Sequence, residues 1–273
     1  MSRVHTDPQS VQTQYQTSAN LDARIRLHAH FSTNHYGWLP WVFDQLAAPA
    51  QATILEIGCG PATLWAENRT RIPTTWAITL TDQSAGMIQQ AQANLAPSHH
   101  AFRFEQMDAQ ALHFADASFD LVIANHMLYH VPDLPHALGE IQRVLKPGGR
   151  FYAATNGSGH MAELLTLIRH YAPDRAYEGP ERAFSLENGA NQLAPWFQPV
   201  ELRLYEDELA VTEVGALVDY VFSMGSFTAS YPEIGAAQRS AFAAYVQQQL
   251  AEQGGRFRIQ KSTGLFISRK APE

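Results

Sequence analysis

Polar residues and glycines follow several apolar runs of the sequence, at positions where a ligand-binding edge is expected. They are Gly58, Gly60, Asp82, Asp108 and Asn125. The glycines let a backbone turn sharply and approach a ligand closely. A carboxylate at Asp82 can accept hydrogen bonds from both hydroxyls of a ribose, as in dinucleotide folds, and Asp108 could accept from an adenine amino group. The pattern therefore predicts a pocket for an adenine nucleoside, although Asp82 could instead serve, with Ser84, as a helix N-cap.

Alternating strands and helices are expected to bring these residues to one edge of a sheet. Short apolar runs predict five strands, at Thr53–Ile57, Thr75–Leu80, Ala101–Gln106, Phe119–Ile123 and Arg150–Thr155. Helical spacing predicts helices between them at Ser84–Leu95 and Leu134–Leu145. Such alternation is typical of a parallel sheet with helices on both faces, which binds ligands at the carboxyl ends of its strands.

Helical patterns dominate the rest of the chain. Ahead of the sheet, two helices are predicted within Leu21–Leu46, with a break at Ser32–Gly37. After it, helices are predicted at Met161–Tyr171, Ser185–Phe197, Glu213–Met224 and Pro232–Gln253, and strands at Val200–Tyr205 and Arg256–Lys270.

Composition excludes several classes of protein. The 273 residues carry a formal net charge of −7, which gives no electrostatic case for a nucleic-acid partner. The single cysteine, Cys59, cannot form an internal disulfide, and no metal site is predicted despite 12 histidines. The sequence contains neither an apolar stretch long enough for a membrane span nor a secretory signal, so we expect a cytoplasmic protein without a membrane partner.

The loop around the glycines distinguishes between nucleotide ligands. A nicotinamide dinucleotide fingerprint requires a third glycine at the position of Thr63. The carboxylate of Glu56, ahead of the glycines, suits a ligand with an ammonium or sulfonium group better than a pyrophosphate. S-adenosylmethionine has both of these groups together with a ribose and an adenine. The residues therefore favour a methyl donor over a nicotinamide cofactor.

At this point the sequence resembles a known family, the class I S-adenosylmethionine-dependent methyltransferases, and in particular their small-molecule type 11 group. The segments that carry the resemblance follow in order: Glu56–Ala62, Thr81–Met87, Met107–Ala109, Phe119–Asn125 with Tyr129–Val131, and Leu145–Arg150. Ala62 stands where the family more often has a third glycine. The resemblance implies an α/β fold with a Rossmann-like, mostly parallel sheet of seven strands. Its last, antiparallel strand would be Arg256–Lys270.

The resemblance also implies which residues bind S-adenosylmethionine and its product S-adenosylhomocysteine. They are Glu56, Gly58, Cys59, Gly60, Asp82, Gln83, Met87, Asp108, Ala109 and Asn125. Asp82 would hold the ribose hydroxyls, Met87 would pack on the adenine, and Asn125 would face the reactive end of the cofactor.

Residues around the methyl acceptor are predicted from side-chain chemistry. His126 and His130 flank the end of the fourth strand, and either could take a proton from an oxygen acceptor as a catalytic base. A structural role is the alternative for His130, since similar enzymes often have a histidine there. Tyr36 and Trp38 belong to an aromatic run that we expect to line the acceptor wall, with helix packing as the alternative.

These patterns together predict four segments and one activity. Residues 1–50 would form a helical cap, 51–155 the cofactor-binding core, 156–198 a helical insertion that shapes the acceptor site, and 199–273 the remaining strands with a helical insertion at 207–253. The activity would be methyl transfer to a small organic acceptor by in-line displacement. A non-catalytic S-adenosylmethionine-binding module and a nicotinamide-dependent oxidoreductase remain as alternatives. The acceptor, its reacting atom and the oligomeric state are left open.

Overall fold

A computed structural model of the chain describes residues 18–173, 183–224 and 234–272. The strands are β1 (Thr53–Ile57), β2 (Ala77–Asp82), β3 (Phe102–Gln106), β4 (Phe119–Asn125), β5 (Leu145–Asn156), β6 (Val200–Val211) and β7 (Phe257–Arg269). The helices are α1 (Ser18–Phe31), α2 (Trp38–Gln45), α3 (Thr63–Glu67), α4 (Ala85–Leu95), α5 (Leu134–Val144), α6 (Ala162–Tyr171), α7 (Gly189–Leu193), α8 (Val214–Ser223) and α9 (Arg239–Glu252). Single 3₁₀ turns occur at Leu128–His130 and Ala236–Gln238.

One sheet joins the seven strands in the order β3-β2-β1-β4-β5-β7-β6. Strand β1 pairs in parallel with both β2 and β4, and β4 pairs in parallel with β5, whereas β7 runs antiparallel to β5. The direction of strand addition reverses between β1 and β4, so the crevice expected for a ligand lies beyond the carboxyl ends of these two strands. The predicted Rossmann-like sheet and its antiparallel last strand are confirmed.

The residues divide into two compact units. The sheet unit comprises residues 38–157, 183–205 and 263–273, and the helical unit comprises residues 1–37, 158–182 and 206–262. Helix α2, which the sequence pattern grouped with the N-terminal cap, belongs to the sheet unit. Residues 1–17 of the predicted cap lie outside the described part of the chain.

Each unit has its own apolar core. In the sheet unit, successive side chains of β1 and β4 enter two separate clusters: Leu55 and Val122 are in one, and Ile54 and Leu121 are in the other. This alternation follows from the two-residue period of a strand and shows that both faces of the sheet are covered. In the helical unit, buried side chains of α6, α8 and α9 form a third cluster.

Several predicted elements have different bounds in the structure, among them β5, which begins at Leu145 and not at Arg150. The predicted helix Ser185–Phe197 contains only the short helix α7, because the side chain of Asn188 accepts a hydrogen bond from the Ser185 N–H and holds the segment in a turn. The predicted strand Val200–Tyr205 continues to Val211, where Leu209 forms an isolated antiparallel bridge with Ser32. Non-local pairing of this kind leaves no periodic signal in the sequence.

Candidate active site

Three alternate residues after β1 have a left-handed backbone. Their φ angles are 63° at Gly58, 53° at Gly60 and 58° at Ala62. A Cβ at Gly58 would lie 2.8 Å from the Cβ of Met127, so only glycine fits there without a shift. A Cβ at Gly60 would have no atom within 4 Å, so open space adjoins the loop at that point. The loop is therefore tightly packed at Gly58 and open at Gly60, where a ligand can approach the backbone closely.

Asp82, at the end of β2, is bonded to this loop. Its Oδ2 accepts from the backbone N–H of Gly60 (2.9 Å), and its Oδ1 accepts from the N–H of Ser84 (2.8 Å). The N-cap of α4 is Ser84, whose Oγ accepts from the N–H of Met87 (3.3 Å). Burial raises the pKa of Asp82, and the two backbone N–H bonds oppose this increase. Each carboxylate oxygen keeps a lone pair for a ribose hydroxyl.

Glu56, whose carboxylate is predicted to suit a cationic group of the ligand, has a hydrogen-bond partner within the protein. Its side chain is buried, and Oε2 accepts a hydrogen bond from Nε1 of Trp65 (2.6 Å). Burial raises the pKa of Glu56 to about 8, although the bond from Trp65 lowers it. Near neutral pH the protonated acid is therefore favoured in this structure, and a nearby cationic group would favour the carboxylate.

The neighbours of Glu56 hold β1 and β2 together beyond their regular pairing. The N–H of Cys59 donates to the carbonyl of Thr81 (2.9 Å), and the hydroxyl of Thr81 donates to the carbonyl of Glu56 (3.1 Å). The side chain of Cys59 is buried, and burial raises the pKa of its thiol. A packed thiol with a raised pKa is unreactive, so the contribution of Cys59 to the site is its backbone.

Of the residues predicted for the adenine, Met87 lies in the first turn of α4, and Asp108 and Ala109 follow β3. Met87 and Ala109 are buried, at 4% and 6% exposure. Oδ1 of Asp108 accepts from the backbone N–H of Gln110 (2.9 Å) and from its Nε2 (3.1 Å), and Oδ2 also accepts from this Nε2 (3.2 Å). Gln83 is exposed. The three contacts with Gln110 fix the orientation of the Asp108 carboxylate and leave a lone pair on Oδ2, which suits the predicted role toward an amino group.

The end of β4 combines an unsatisfied polar atom with a strained backbone. Oδ1 of Asn125 is buried, and among the described residues no donor reaches it. His126 has a φ of 57°, which is unusual for a residue other than glycine, and its N–H donates to the carbonyl of Ala154 on β5 (3.1 Å). His130 ends a 3₁₀ turn, with its ring 4.5 Å from that of Tyr129. Buried unsatisfied atoms and strained backbones are concentrated at functional sites.

Trp38 and His126 are brought together, whereas Tyr36 lies in the other unit. The rings of Trp38 and His126 have centroids 5.3 Å apart. Tyr36 is 53% exposed and belongs to the helical unit. Trp41, the last residue of the aromatic run expected at the acceptor wall, also contacts Trp38. Tyr205 contacts Trp38 as well, and the sequence pattern did not assign it to the site. No local signal indicated Tyr205, which comes from the far edge of the sheet.

The residues at this edge fit S-adenosylmethionine. Asp82 can accept the ribose hydroxyls, the open space at Gly60 admits a ligand against the backbone, and Oδ1 of Asn125 can accept from an N–H of the ligand. Within the described ranges, no group of three or more His, Cys, Asp or Glu side chains could hold a metal ion. In the same ranges, no helix has the length and hydropathy of a membrane span.

Comparisons with known proteins agree with this geometry. A family model described as "Methyltransferase domain" matches residues 55–153. The malonyl-[acyl-carrier protein] O-methyltransferase of Geobacter sulfurreducens is 31% identical over 209 residues, which cover 75% of this chain and 73% of that protein. The demethylmenaquinone methyltransferase of Desulfitobacterium hafniense is 36% identical over 115 residues, which cover 41% of this chain and 46% of that protein. For several curated relatives, the segment that matches this chain spans less than half of the relative's own length.

A solved structure shows the same fold. Phosphoethanolamine N-methyltransferase 2 of Haemonchus contortus, in complex with phosphomonomethylethanolamine and S-adenosylhomocysteine, superposes with a TM-score of 0.59 at 16% identity. The superposition covers 98% of this chain and 60% of that one. The glycine loop, the strand-end residues and the similarity to the Geobacter protein over most of both chains lead to one assignment. The chain belongs to the class I S-adenosylmethionine-dependent methyltransferases, whose cofactor is S-adenosylmethionine.

Proposed function

We propose that the protein transfers a methyl group from S-adenosylmethionine to a small organic acceptor. The observation that carries this proposal is the bond between Asp82 and the Gly60 N–H, beside open space, at the point where strand order reverses. The relatives named above support an acceptor with a small reacting group: their names specify malonyl-[acyl-carrier protein], demethylmenaquinone and phosphoethanolamine. None of these compounds is thereby assigned to this chain.

Each residue of the edge has a proposed role in the reaction. Bound S-adenosylmethionine supplies an electrophilic methyl group on a sulfonium. Asp82 orients the ribose, Met87 packs on the adenine and Asn125 accepts a hydrogen bond near the reactive end. Orientation of this kind lowers the barrier by holding the reactants in line. His126 accepts the proton that an oxygen acceptor loses, since a neutral imidazole is an effective base near neutral pH.

The remaining predicted residues keep weaker roles within this proposal. His130 is the last residue of the 3₁₀ turn that follows His126. It would position the loop after β4 or assist in removing the proton. Trp38 would line the acceptor side next to His126. Tyr36 stays a predicted contact of the acceptor, and residues 156–198 and 207–253 are predicted to shape its pocket.

Calorimetric titration tests cofactor binding, and a turnover assay tests catalysis. The purified protein should bind S-adenosylmethionine and should not bind NAD. With a panel of small acceptors it should release S-adenosylhomocysteine in proportion to methylated product, identified by a mass increase of one methyl group. Binding of NAD alone would contradict the proposal. Tight binding of S-adenosylmethionine without turnover on any acceptor would instead support the non-catalytic binding module.

A further inference from the structure

Four aromatic rings of the sheet unit are in contact at the carboxyl end of β4. The centroid of the Trp38 ring lies 5.3 Å from that of Trp41, 5.3 Å from that of His126 and 5.4 Å from that of Tyr205. Trp41 and Tyr205 are themselves 5.4 Å apart. We refer to these four side chains as the ring cluster. Its centre is Trp38, which contacts the other three rings.

Hydrogen bonds fix the helix that carries two of these rings. Nη1 of Arg203, two residues before Tyr205 on β6, donates to Oε1 of Gln45 at the end of α2 (2.6 Å). Just beyond α2, the N–H of Ala47 donates to the hydroxyl of Tyr152 on β5 (2.9 Å). The helix is thus bonded to two strands of the sheet, so the ring cluster is a preformed surface.

One polar atom at the centre of the ring cluster lacks a partner. Nε1 of Trp38 is buried, and within the described residues no acceptor is bonded to it. Buried tryptophan N–H groups usually have a hydrogen-bond partner. The adjacent His126 has a left-handed backbone, held by Ala154. A missing acceptor and a strained neighbour on the same surface indicate a ligand rather than ordinary core packing.

We propose that the ring cluster binds the methyl acceptor, and that this acceptor is a planar conjugated compound with a hydroxyl group next to a second oxygen. The inference rests on the proposed function and specifies its substrate class. Planar rings bind aromatic side chains by offset stacking or edge-to-face contact, and the ring planes around Trp38 differ in tilt by 26° to 74°. The second oxygen accepts from Trp38 Nε1–H, and the hydroxyl lies at His126.

The unsatisfied N–H of Trp38 favours an acceptor that carries a hydrogen-bonding oxygen over an ammonium group, although aromatic faces also attract cations. An ammonium group has three donors and no acceptor, so it would leave the Trp38 N–H unsatisfied. A saturated alcohol of similar size could satisfy this N–H, but it would gain little from the ring faces. A planar hydroxylated compound uses both features of the site.

The transfer balances with the groups named. A lone pair of the acceptor hydroxyl oxygen forms a bond to the methyl carbon, and the carbon–sulfur bond breaks with its electrons moving to sulfur. The hydroxyl proton passes to the His126 imidazole and from there to solvent. The products are a methyl ether, S-adenosylhomocysteine and one proton, and no oxidant or reductant is needed.

The experiment uses matched acceptors and matched tryptophan variants of the full chain. The probes are a hydroxynaphthoquinone and a 2-hydroxyphenyl ketone as planar acceptors, a primary alkanol, and an alkylamine. Binding is measured by calorimetry on protein saturated with S-adenosylhomocysteine, and turnover by release of S-adenosylhomocysteine. We expect the planar probes to bind and to be O-methylated, and Trp38→Phe to weaken their binding about 5- to 30-fold, the effect of one lost hydrogen bond.

Two variants separate the roles within the cluster. His126→Gln should lower kcat about 100-fold or more, a larger loss than its effect on the binding of the planar probes, whereas Trp38→Phe should act mainly on binding. Trp76→Phe is the control, because Nε1 of Trp76 donates to Pro49 (3.2 Å) next to the amino end of β2. It should leave binding and turnover unchanged.

The outcomes distinguish this inference from the proposed function. If the protein does not bind S-adenosylmethionine, the proposed function itself is wrong. If it binds the cofactor but prefers the alkanol or the alkylamine, or binds none of the planar probes, the inference is overturned and the cofactor site stands. Equal binding of a planar probe by wild type and Trp38→Phe would also overturn it, since the Trp38 N–H would then have no role.

Discussion

The carboxylate of Asp82 accepts a hydrogen bond from the backbone N–H of Gly60 across 2.9 Å, which joins the end of β2 to the loop that follows β1. The same carboxylate accepts from Ser84, so one side chain orients the glycine loop and the start of α4. A ribose bound at this carboxylate would lie directly beside the glycine loop. The geometry of the cofactor site therefore depends on one acid.

Asp82→Asn should weaken cofactor binding with little effect on the fold. The amide is isosteric, but only one of its two terminal atoms is an oxygen, so one of the acceptors for Gly60 and Ser84 is lost together with its lone pair for a ribose hydroxyl. Loss of charge-assisted hydrogen bonds of this kind costs about 1.5–3 kcal/mol each, so affinity for S-adenosylmethionine should fall at least tenfold in a calorimetric titration. Asp116→Asn is the control, because Asp116 is 78% exposed and its pair with Arg143 contributes little. Unchanged affinity in Asp82→Asn would refute the assignment.

The two glycines of the loop should respond differently to alanine. Gly58→Ala adds a Cβ 2.8 Å from Met127 at a positive φ, so it should lower the free energy of unfolding by about 2–4 kcal/mol. Gly60→Ala meets open space, so only the backbone strain of about 1–2 kcal/mol is expected. It should nevertheless weaken S-adenosylmethionine binding at least tenfold, because the methyl group fills the space beside the loop.

Urea unfolding and calorimetry of the two variants check this difference. In the Gly58→Ala background, Met127→Gly should recover part of the lost stability, because it removes the Cβ and Cγ that lie 2.8 Å from the added methyl group. If instead Gly60→Ala binds the cofactor like wild type, the open space beside Gly60 is not part of the cofactor site.

The first half of the fold could be predicted because its signals are local. Strands buried on both faces are continuous apolar runs, so β1 and β4 begin at their predicted starts. Asp82 and Asn125 could be recognised because strand-end position follows from the end of an apolar run. The bond between Asp82 and Gly60 then follows from parallel pairing of β1 with β2.

Features that depend on distant parts of the chain could not be predicted. Tyr205 reaches Trp38 because β6 is bonded to α2, a contact between residues far apart in sequence. Local pattern gives no information about such packing. The protonation of Glu56 was also missed, because its burial and its bond to Trp65 depend on where α3 packs. The left-handed backbone of His126 likewise depends on its neighbour β5.

The stability of the ligand-free protein should fall as pH rises because of Glu56. Its folded pKa of about 8 lies above the ordinary value of 4.5, mainly through burial. Between these values the folded state holds a proton that the unfolded state has lost, so stability is full below the unfolded pKa and declines by up to about 1.4 kcal/mol per pH unit. The decline ends once pH exceeds the folded pKa.

Urea unfolding across pH 5 to 9 measures this slope. Glu56→Gln should flatten it, since the amide does not titrate. Trp65→Phe should raise the pKa of Glu56 further, because the lost hydrogen bond had lowered it, and the decline should extend to higher pH. A wild-type slope that persists in Glu56→Gln would assign the pH dependence to another group.

In the helical unit, Asp207 and Lys261 form an ion pair with little exposure to solvent. Their side chains are 0% and 9% exposed, and Asp207 also accepts from the hydroxyl of Ser32 and from the N–H of Asn34 (3.0 Å). Burial alone would raise the pKa of Asp207, but Lys261, Ser32 and Asn34 together hold it below the usual value. Because the folded pKa is lowered, this stabilisation is present above the unfolded pKa and is lost as pH falls through the folded value.

Lys261→Met should therefore destabilise the protein by about 3–5 kcal/mol at neutral pH, because it leaves the Asp207 carboxylate buried without its cation. Burial would then raise the pKa of Asp207, so this variant should become relatively more stable as pH is lowered toward 5. Adding Asp207→Asn should recover much of the loss, since an amide needs no cation and still accepts from Asn34. Arg239→Met is the control: its pair with Asp219 is 47% and 43% exposed, and the loss should stay below about 1 kcal/mol in urea unfolding. Equal losses in Lys261→Met and Arg239→Met would show that burial of the Asp207–Lys261 pair has no energetic consequence.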